Sequence, residues 1–170
     1  MDEQSELPMA LRTAYLAMHR RSDSEFSRFG ITADQFVLLA TLARGDAITQ
    51  RELARRMHSD PSTVRAMLVL LEKQSFVRRE THPEDSRARI VELTHLGKSK
   101  FRQLWTAGDT IRAQMHAALN PKEHKTLVQL LQKVNVALLE EHASTPSPPE
   151  LTTDLDSPPN TRFASSGPPM

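Results

Sequence analysis

Between Pro83 and Gly97 the chain reads Pro-Glu-Asp-Ser-Arg-Ala-Arg-Ile-Val-Glu-Leu-Thr-His-Leu-Gly: a polar turn with two guanidinium groups, followed at once by an alternating strand. Arg89, Val91 and Leu93 interleave with Ile90, Glu92 and Thr94, so one face can be dry and the other wet. Upstream, Phe76-Val77-Arg78-Arg79-Glu80-Thr81 reads as the partner strand of a hairpin. A protruding loop that carries Arg87 and Arg89 suits contact with a polyanion and offers little to an apolar ligand. Arg87 is the residue expected in a minor groove, where a narrow A·T segment concentrates negative potential. Asp85 is repelled by phosphate, so its expected work is to hold Arg87 extended through a charge-assisted hydrogen bond.

A second group precedes the hairpin. Asp60-Pro61 marks a helix start, an acidic cap before a proline at the first helical position. Along that helix Val64, Met67, Leu68 and Leu71 recur at the spacing of a buried stripe. The other face carries Ser62, Thr63, Arg65, Ala66, Val69 and Lys73. Hydroxyls near the helix tip can bond phosphates or base edges, and an arginine one turn along can form a bidentate pair with guanine. The unpaired amides of the tip favour phosphate as well. Ser62, Thr63, Arg65, Ala66 and Lys73 are therefore candidate recognition residues, and Arg51, Arg55, Arg78 and Arg79 are candidate phosphate contacts.

Other chemistries find little material. Cysteine is absent, which removes disulfides, thiolate ligands and cysteine redox switches, although methionine oxidation stays open. His82, His95, His116 and His124 lack a local ligand spacing, so no metal and no cofactor is expected. The chain shows no nucleophile elbow and no phosphate-cradling glycine loop, and an enzyme is not expected. The net charge of +1 conceals an asymmetry: 13 Lys/Arg against 8 Asp/Glu between Arg44 and Arg102, then one Arg against three acids from Pro146 to Met170. The basic surplus sits where the hairpin is. The N-terminus is acidic and no apolar run approaches the length of a membrane span, so a soluble, cytoplasmic protein without a membrane partner is expected.

These groups need a scaffold. The apolar stripe Leu7, Leu11, Tyr15, Met18 predicts a helix over 7–29, with Pro8 in its first turn and Gly30 closing it. Thr32 reads as the N-cap of a helix over 33–44 with an inward face of Phe36, Leu39, Ala40 and Ala43. After an extended Ala47-Ile48, Thr49 with Glu52 three residues on is a capping-box pattern for a helix over 50–57. Thr94 caps a long helix to about Leu119, weakened near Gly108. Asn120-Pro121 caps another to about His142, striped by Leu127, Leu130, Leu131, Val134 and Leu138. From Ser144 the chain is rich in Pro, Ser and Thr, with seven of its eleven prolines between Pro146 and Pro169, and is expected to be disordered. The stripes of the terminal helices need cover, either from the same helices of a second copy or by folding back on their own domain.

Four segments together resemble the MarR family of multiple-antibiotic-resistance regulators: Thr49-Gln50-Arg51-Glu52-Leu53-Ala54, Asp60-Pro61-Ser62-Thr63-Val64, Leu71 to Arg79, and Asp85-Ser86-Arg87 through Leu93-Thr94 to Gly97. The match covers about residues 30 to 100, and the wing pattern Asp-x-Arg-x-x-x-Val/Ile-x-Leu-Thr-x-x-Gly is its most specific part. A departure is Ser75, where a glycine is commoner. The resemblance implies a mainly α fold with a small β-hairpin wing: a winged helix-turn-helix with N- and C-terminal dimerisation helices. The expected divisions are an N-terminal dimerisation helix over 1–32, a DNA-binding domain over 33–100, C-terminal dimerisation helices over 101–143 and a Pro-rich tail over 144–170. It implies a homodimeric regulator, usually a repressor, on a pseudo-palindromic operator in double-stranded DNA, with Arg87 and Asp85 at the family's wing positions. It implies too a pocket for a small aromatic or anionic effector, whose walls here would be Tyr15, Met18, His19, Phe36, Trp105, Arg112 and Met115, with His19 or Arg112 meeting an acid group. The competing reading is a winged helix that binds protein and never reads DNA.

Overall fold

A computed structural model describes residues 3–45 and 47–143. The expected disordered tail over 144–170 lies outside them. Seven helices and three strands follow in the order α1 (Glu3–Ser27), α2 (Ala33–Ala43), β1 (Ile48–Thr49), α3 (Gln50–Arg56), α4 (Pro61–Lys73), β2 (Val77–Thr81), β3 (Arg89–Leu93), α5 (His95–Ala107), α6 (Asp109–Ala117) and α7 (Pro121–Ala143). This is the expected winged helix-turn-helix: mainly helical, with an antiparallel sheet in the order β1-β3-β2. One compact unit comprises Met1–His124, and a second begins at Lys125 within α7.

The core of the first unit is built where the stripes of α2, α3 and α4 meet the dry face of the sheet. Leu38, Leu39, Leu53, Val64, Leu68, Leu71, Val91 and Leu104 are fully buried. Each such side chain contributes about 1.5–3 kcal/mol of transfer free energy. All four residues of the expected α4 stripe are buried, which turns Ser62, Thr63, Arg65, Ala66, Val69 and Lys73 outward together.

The caps carry much of the local specification. Thr32 makes a full capping box with Gln35: its hydroxyl accepts the Gln35 N–H at 3.1 Å, and the Gln35 side chain accepts the Thr32 N–H at 3.0 Å. That reciprocity is why Gln35 is the buried polar residue of the core. At Thr49 the expected box is only half made. The hydroxyl accepts the Glu52 N–H at 3.1 Å, but the Glu52 carboxylate turns to Arg55 and Arg56, where two guanidinium partners outbid a backbone amide. Gly30 closes α1 at φ 71°, and His58 and Ser75 take the left-handed region at 48° and 61°. The geometry at Ser75 explains why a residue without a Cβ suits that turn.

Three expectations change. The inward face of α2 is Leu38, Leu39 and Leu42 with Gln35, while Ala43 is exposed, because α5 and the sheet approach that helix from the side of its leucines. Helix α1 starts at Glu3, which puts Pro8 inside it, in its second turn. The long helix after Thr94 breaks at Gly108 into α5 and α6.

Gly97 fixes how α5 meets the hairpin. A Cβ there would lie 1.9 Å from the carbonyl oxygen of Phe76, so only glycine allows this approach. Thr94 completes the joint: its hydroxyl donates to the Ser75 carbonyl at 2.7 Å and accepts the Gly97 N–H at 2.9 Å.

Candidate nucleic-acid interface

The tip of α4 is organised by Asp60. One carboxylate oxygen accepts the Ser62 N–H at 2.7 Å and the Thr63 N–H at 3.3 Å, and it also accepts the Ser62 hydroxyl. These bonds hold the Asp60 carboxyl below the usual range, the Ser62 hydroxyl first among them. Two sequence expectations shift in consequence. The amides of the tip are taken by Asp60, and Ser62 faces its own cap. The side chains of Thr63, Arg65, Ala66 and Lys73, with Val69 among them, form the open part of the helix.

The wing is a turn in which Asp85 acts on the backbone. Its carboxylate accepts the Arg87 N–H at 2.9 Å, while its carbonyl accepts the Ala88 N–H at 3.0 Å. Among the described residues no ion pair joins the Asp85 and Arg87 side chains, so the expected charge-assisted clasp is replaced by an Asx turn. The reason is reach: a side chain two residues back meets the amide before it meets the end of a long guanidinium arm. Arg87 is left exposed and without a carboxylate partner among those residues. Arg89, at the root of β3, donates to the Thr81 hydroxyl at 3.3 Å across the hairpin register.

The four proposed phosphate contacts divide. Arg55 grips Glu52 with two bonds of 2.8 and 2.7 Å. Arg78 pairs with Glu92, its neighbour across β2 and β3, and Arg79 with Glu72 of α4. Pairing with Arg55 and then Arg56 lowers the Glu52 carboxyl to about 2, and Arg79 holds Glu72 below its ordinary value. Of the four, Arg51 alone has no carboxylate partner among the described residues.

Two adjoining clefts gather the open cations. One, of about 530 Å³, is lined by Gln50, Arg65, Glu72, Arg79 and Arg89 between α4 and the sheet. The other, of about 500 Å³, is lined by Thr49, Gln50, Arg51, Asp85, Arg87, Ala88 and Arg89 beneath the wing. Gln50 and Arg89 belong to both. Sequence reasoning passed over Gln50; its place as the first residue of α3, directly after the Thr49 cap that ends the strand paired with β3, was the available signal. Val69, exposed and apolar on the reading face, was seen on that face but not counted, and its methyls suit a thymine methyl.

The model of the MarR family matches residues 31–88, from the start of α2 to the wing. The HTH-type transcriptional regulator YdgJ of Bacillus subtilis is 28% identical over 105 residues, which span 62% of this chain and 64% of YdgJ. A mutant of E. coli MarR complexed with operator DNA superposes with a TM-score of 0.71 at 28% identity, covering 79% of this chain and 99% of that one. The transcriptional repressor CouR, bound to a 23-mer DNA duplex, gives 0.72 at 25% identity over 79% and 96%.

Over residues 31–88 the chain is similar to the MarR family.

A cavity of about 290 Å³ lies between α1, α2, α5 and α6. Tyr15, Met18, His19, Phe36, Trp105, Arg112 and Met115, the seven residues singled out in the sequence, all line it. The two groups expected to meet an acid are already engaged. One ring nitrogen of His19 lies 3.4 Å from Asp23 and the other 3.3 Å from Asp34. Arg112 donates to the Trp105 carbonyl and to Asp109, with its guanidinium 4.1 Å from the centre of the Trp105 ring. Acids one turn away on the same helices, at Asp23 and Asp109, were the local signal for this. His116 and His124 stack at 4.5 Å, but among the described residues no three potential ligands gather around a metal position. Among those residues no helix is long and apolar enough to cross a membrane.

Proposed function

We propose that this chain is a sequence-specific DNA-binding transcriptional regulator, a repressor, acting as a homodimer on a pseudo-palindromic operator. The observation that carries the reading is the pair of clefts in which Arg51, Arg65, Arg87 and Arg89 converge around the open face of α4. Thr63, Arg65, Ala66 and Val69 read base edges in the major groove, Arg87 enters the adjacent minor groove, and Arg51 meets phosphate. The Asx turn at Asp85 fixes the wing backbone so that the Arg87 side chain need not be ordered from a floppy loop at the moment of binding.

Dimerisation is supported by uncovered apolar surface on both terminal helices, each taken by itself. Leu7 and Tyr15 of α1 are 55% and 52% exposed, and Leu130 and Leu138 of α7 are 55% and 61% exposed. Stripes of this regularity are the usual mark of a buried interface. A two-fold pair sets the two copies of α4 about 34 Å apart, one turn of B-DNA. A small molecule held in the cavity behind the core would favour a dimer with the wrong spacing and so release the operator.

The test is Arg87→Ala. Footprinting on fragments selected from genomic DNA is expected to show a loss of about 1–3 kcal/mol in operator affinity, with the dimer mass unchanged by light scattering. Binding that is weak, sequence-independent and indifferent to the substitution would return the interaction-module reading.

A further inference from the structure

The cavity behind the core carries a charge pattern that selects its ligand, an inference resting on the effector role proposed above. Its walls are apolar and aromatic: Phe26, Phe36, Trp105 and Ile111 surround the space, and the Phe36 and Phe101 rings stack at 6.0 Å behind it. At about 290 Å³ it has the room of roughly ten waters, enough for a one-ring or compact two-ring molecule. The charged or titratable groups of the lining are few, His19, Asp34 and Arg112, so their sign decides which head group such a ring can bring.

That sign is negative. Asp23 and Asp34 both approach His19, which offsets at most one of the two carboxylates, and only when protonated. The other cation of the lining, Arg112, is balanced by Asp109 and lies flat on Trp105. An aromatic acid would thus meet Asp34 in the lining, with Asp23 against the far side of His19, and could recruit a cation only by breaking an ion pair the chain already makes. Asp34 differs from Asp23 in what else it holds. One Asp23 oxygen accepts the Ala33 N–H at 2.6 Å, whereas Asp34 bonds only His19 among the described residues. Asp34 is thus a lining carboxylate with a single partner among the described residues, its side chain reachable from solvent. Aromatic walls add attraction for a cation through their ring faces.

We infer that this cavity takes a flat aromatic cation, an amidinium or protonated amine, with Asp34 as its charge partner, and discriminates against the aromatic anions that the family resemblance implied. Residues that merely resemble a family pocket in position thus carry a different selectivity, set by acids the pocket motif does not include.

Trp105 is the single tryptophan of the chain and lines the cavity, so its emission reports occupancy directly. Benzamidinium, benzamide and benzoate share one planar shape and differ in head-group charge. Titrated against the full-length dimer, benzamidinium is expected to bind about tenfold more tightly than benzoate, a difference of one ion-pair contact, with benzamide between. Asp34→Asn is expected to reduce that ratio to about twofold. His19→Gln, which removes the competing base and leaves both acids, is expected to keep or widen it, and serves if Asp34→Asn fails to fold. A benzoate preference, a ratio that survives Asp34→Asn, a swing toward benzoate in His19→Gln, or no response of Trp105 to any of the three overturns the inference. Operator affinity measured with the same probes separates the two readings. Selective benzamidinium binding that leaves DNA affinity unmoved keeps this assignment and removes the effector role.

Discussion

On the surface made by α4 and the wing, Arg51, Arg65 and Arg87 carry no ion pair among the described residues. At the cavity between α1, α2, α5 and α6, both basic side chains, His19 and Arg112, are tied to carboxylates of their own chain. The difference separates two uses of the same residue type. An exposed, unpaired guanidinium retains its interaction free energy for a polyanion that arrives from outside. A paired one has already spent it, and an incoming anion must first break the pair. The contrast divides even the reading face, where Arg55, Arg78 and Arg79 are paired and their neighbours are not.

Helix α5 is one link between the two regions, and breaking its seat is expected to have the largest effect. Helix α5 supplies Trp105 to the cavity and, through Gly97, seats the base of the hairpin that carries the wing. Gly97→Ala places a methyl 1.9 Å from a backbone oxygen, which cannot rotate away as a side chain can. A cost of about 3 kcal/mol or more is expected, at the upper end for overpacking. Thermal melting should show it, with operator affinity and the Trp105 emission altered together. A variant that melts like the parent would mean that α5 and the hairpin move independently.

Next in size is the contrast between open and closed arginines. Arg65→Ala is expected to weaken operator binding by about 1–3 kcal/mol and to relax sequence preference at one base step. Arg55→Ala, equally exposed but gripped by Glu52, is expected to change affinity by less than about 0.5 kcal/mol. Arg51→Ala lies between them, with a salt dependence shallower by about one counterion. Equal losses for Arg55 and Arg65, measured by fluorescence anisotropy over a range of salt, would erase the distinction on which the reading face was built.

How much of this was legible before the structure depends on distance along the chain. The α4 stripe, the caps at Thr32, Thr49, Asp60 and Thr94, and the two strands of the hairpin all follow from residues within a few positions of each other, and each lies where the pattern put it. The pairs Arg79–Glu72 and Arg78–Glu92 did not show themselves, because they form only once the hairpin folds back on α4 and on itself. Asp85 was found by position, yet its partner was misassigned: sequence spacing cannot tell an amide from a guanidinium two residues on. The same limit hid the second acid at His19, since Asp34 stands on another helix. Seven residues of the cavity could be named from the family resemblance, while the sign of the charge around it could not.

A smaller effect isolates the turn between α4 and β2. Ser75 sits at φ 61°, where a side chain costs about 1–2 kcal/mol, and glycine returns about half of that gain as unfolded-state entropy. Ser75→Gly is expected to stabilise the fold by about 0.5–1 kcal/mol, read as a higher melting temperature. Because no cation moves, operator affinity should hold. A stabilised variant with weaker DNA binding would show that the strain at this turn helps aim α4.

The last expectation concerns acid, and its effect is the least because the groups are exposed and screened. Glu52, Asp60 and Glu72 all belong to the reading half of the molecule, and each has its carboxyl lowered by hydrogen bonds it makes in the folded chain. In acid the unfolded chain takes up these protons first, so the folded state loses ground as pH falls. The contribution is complete above the ordinary glutamate value of 4.5 and disappears as the pH drops toward about 2. Urea unfolding followed by circular dichroism across that window should give a falling stability with a slope that Glu52→Gln makes shallower. If the slope is unchanged in Glu52→Gln and in Glu72→Gln alike, the pairs that close Arg55, Arg56 and Arg79 do not hold in solution, and those arginines are as available to DNA as Arg65.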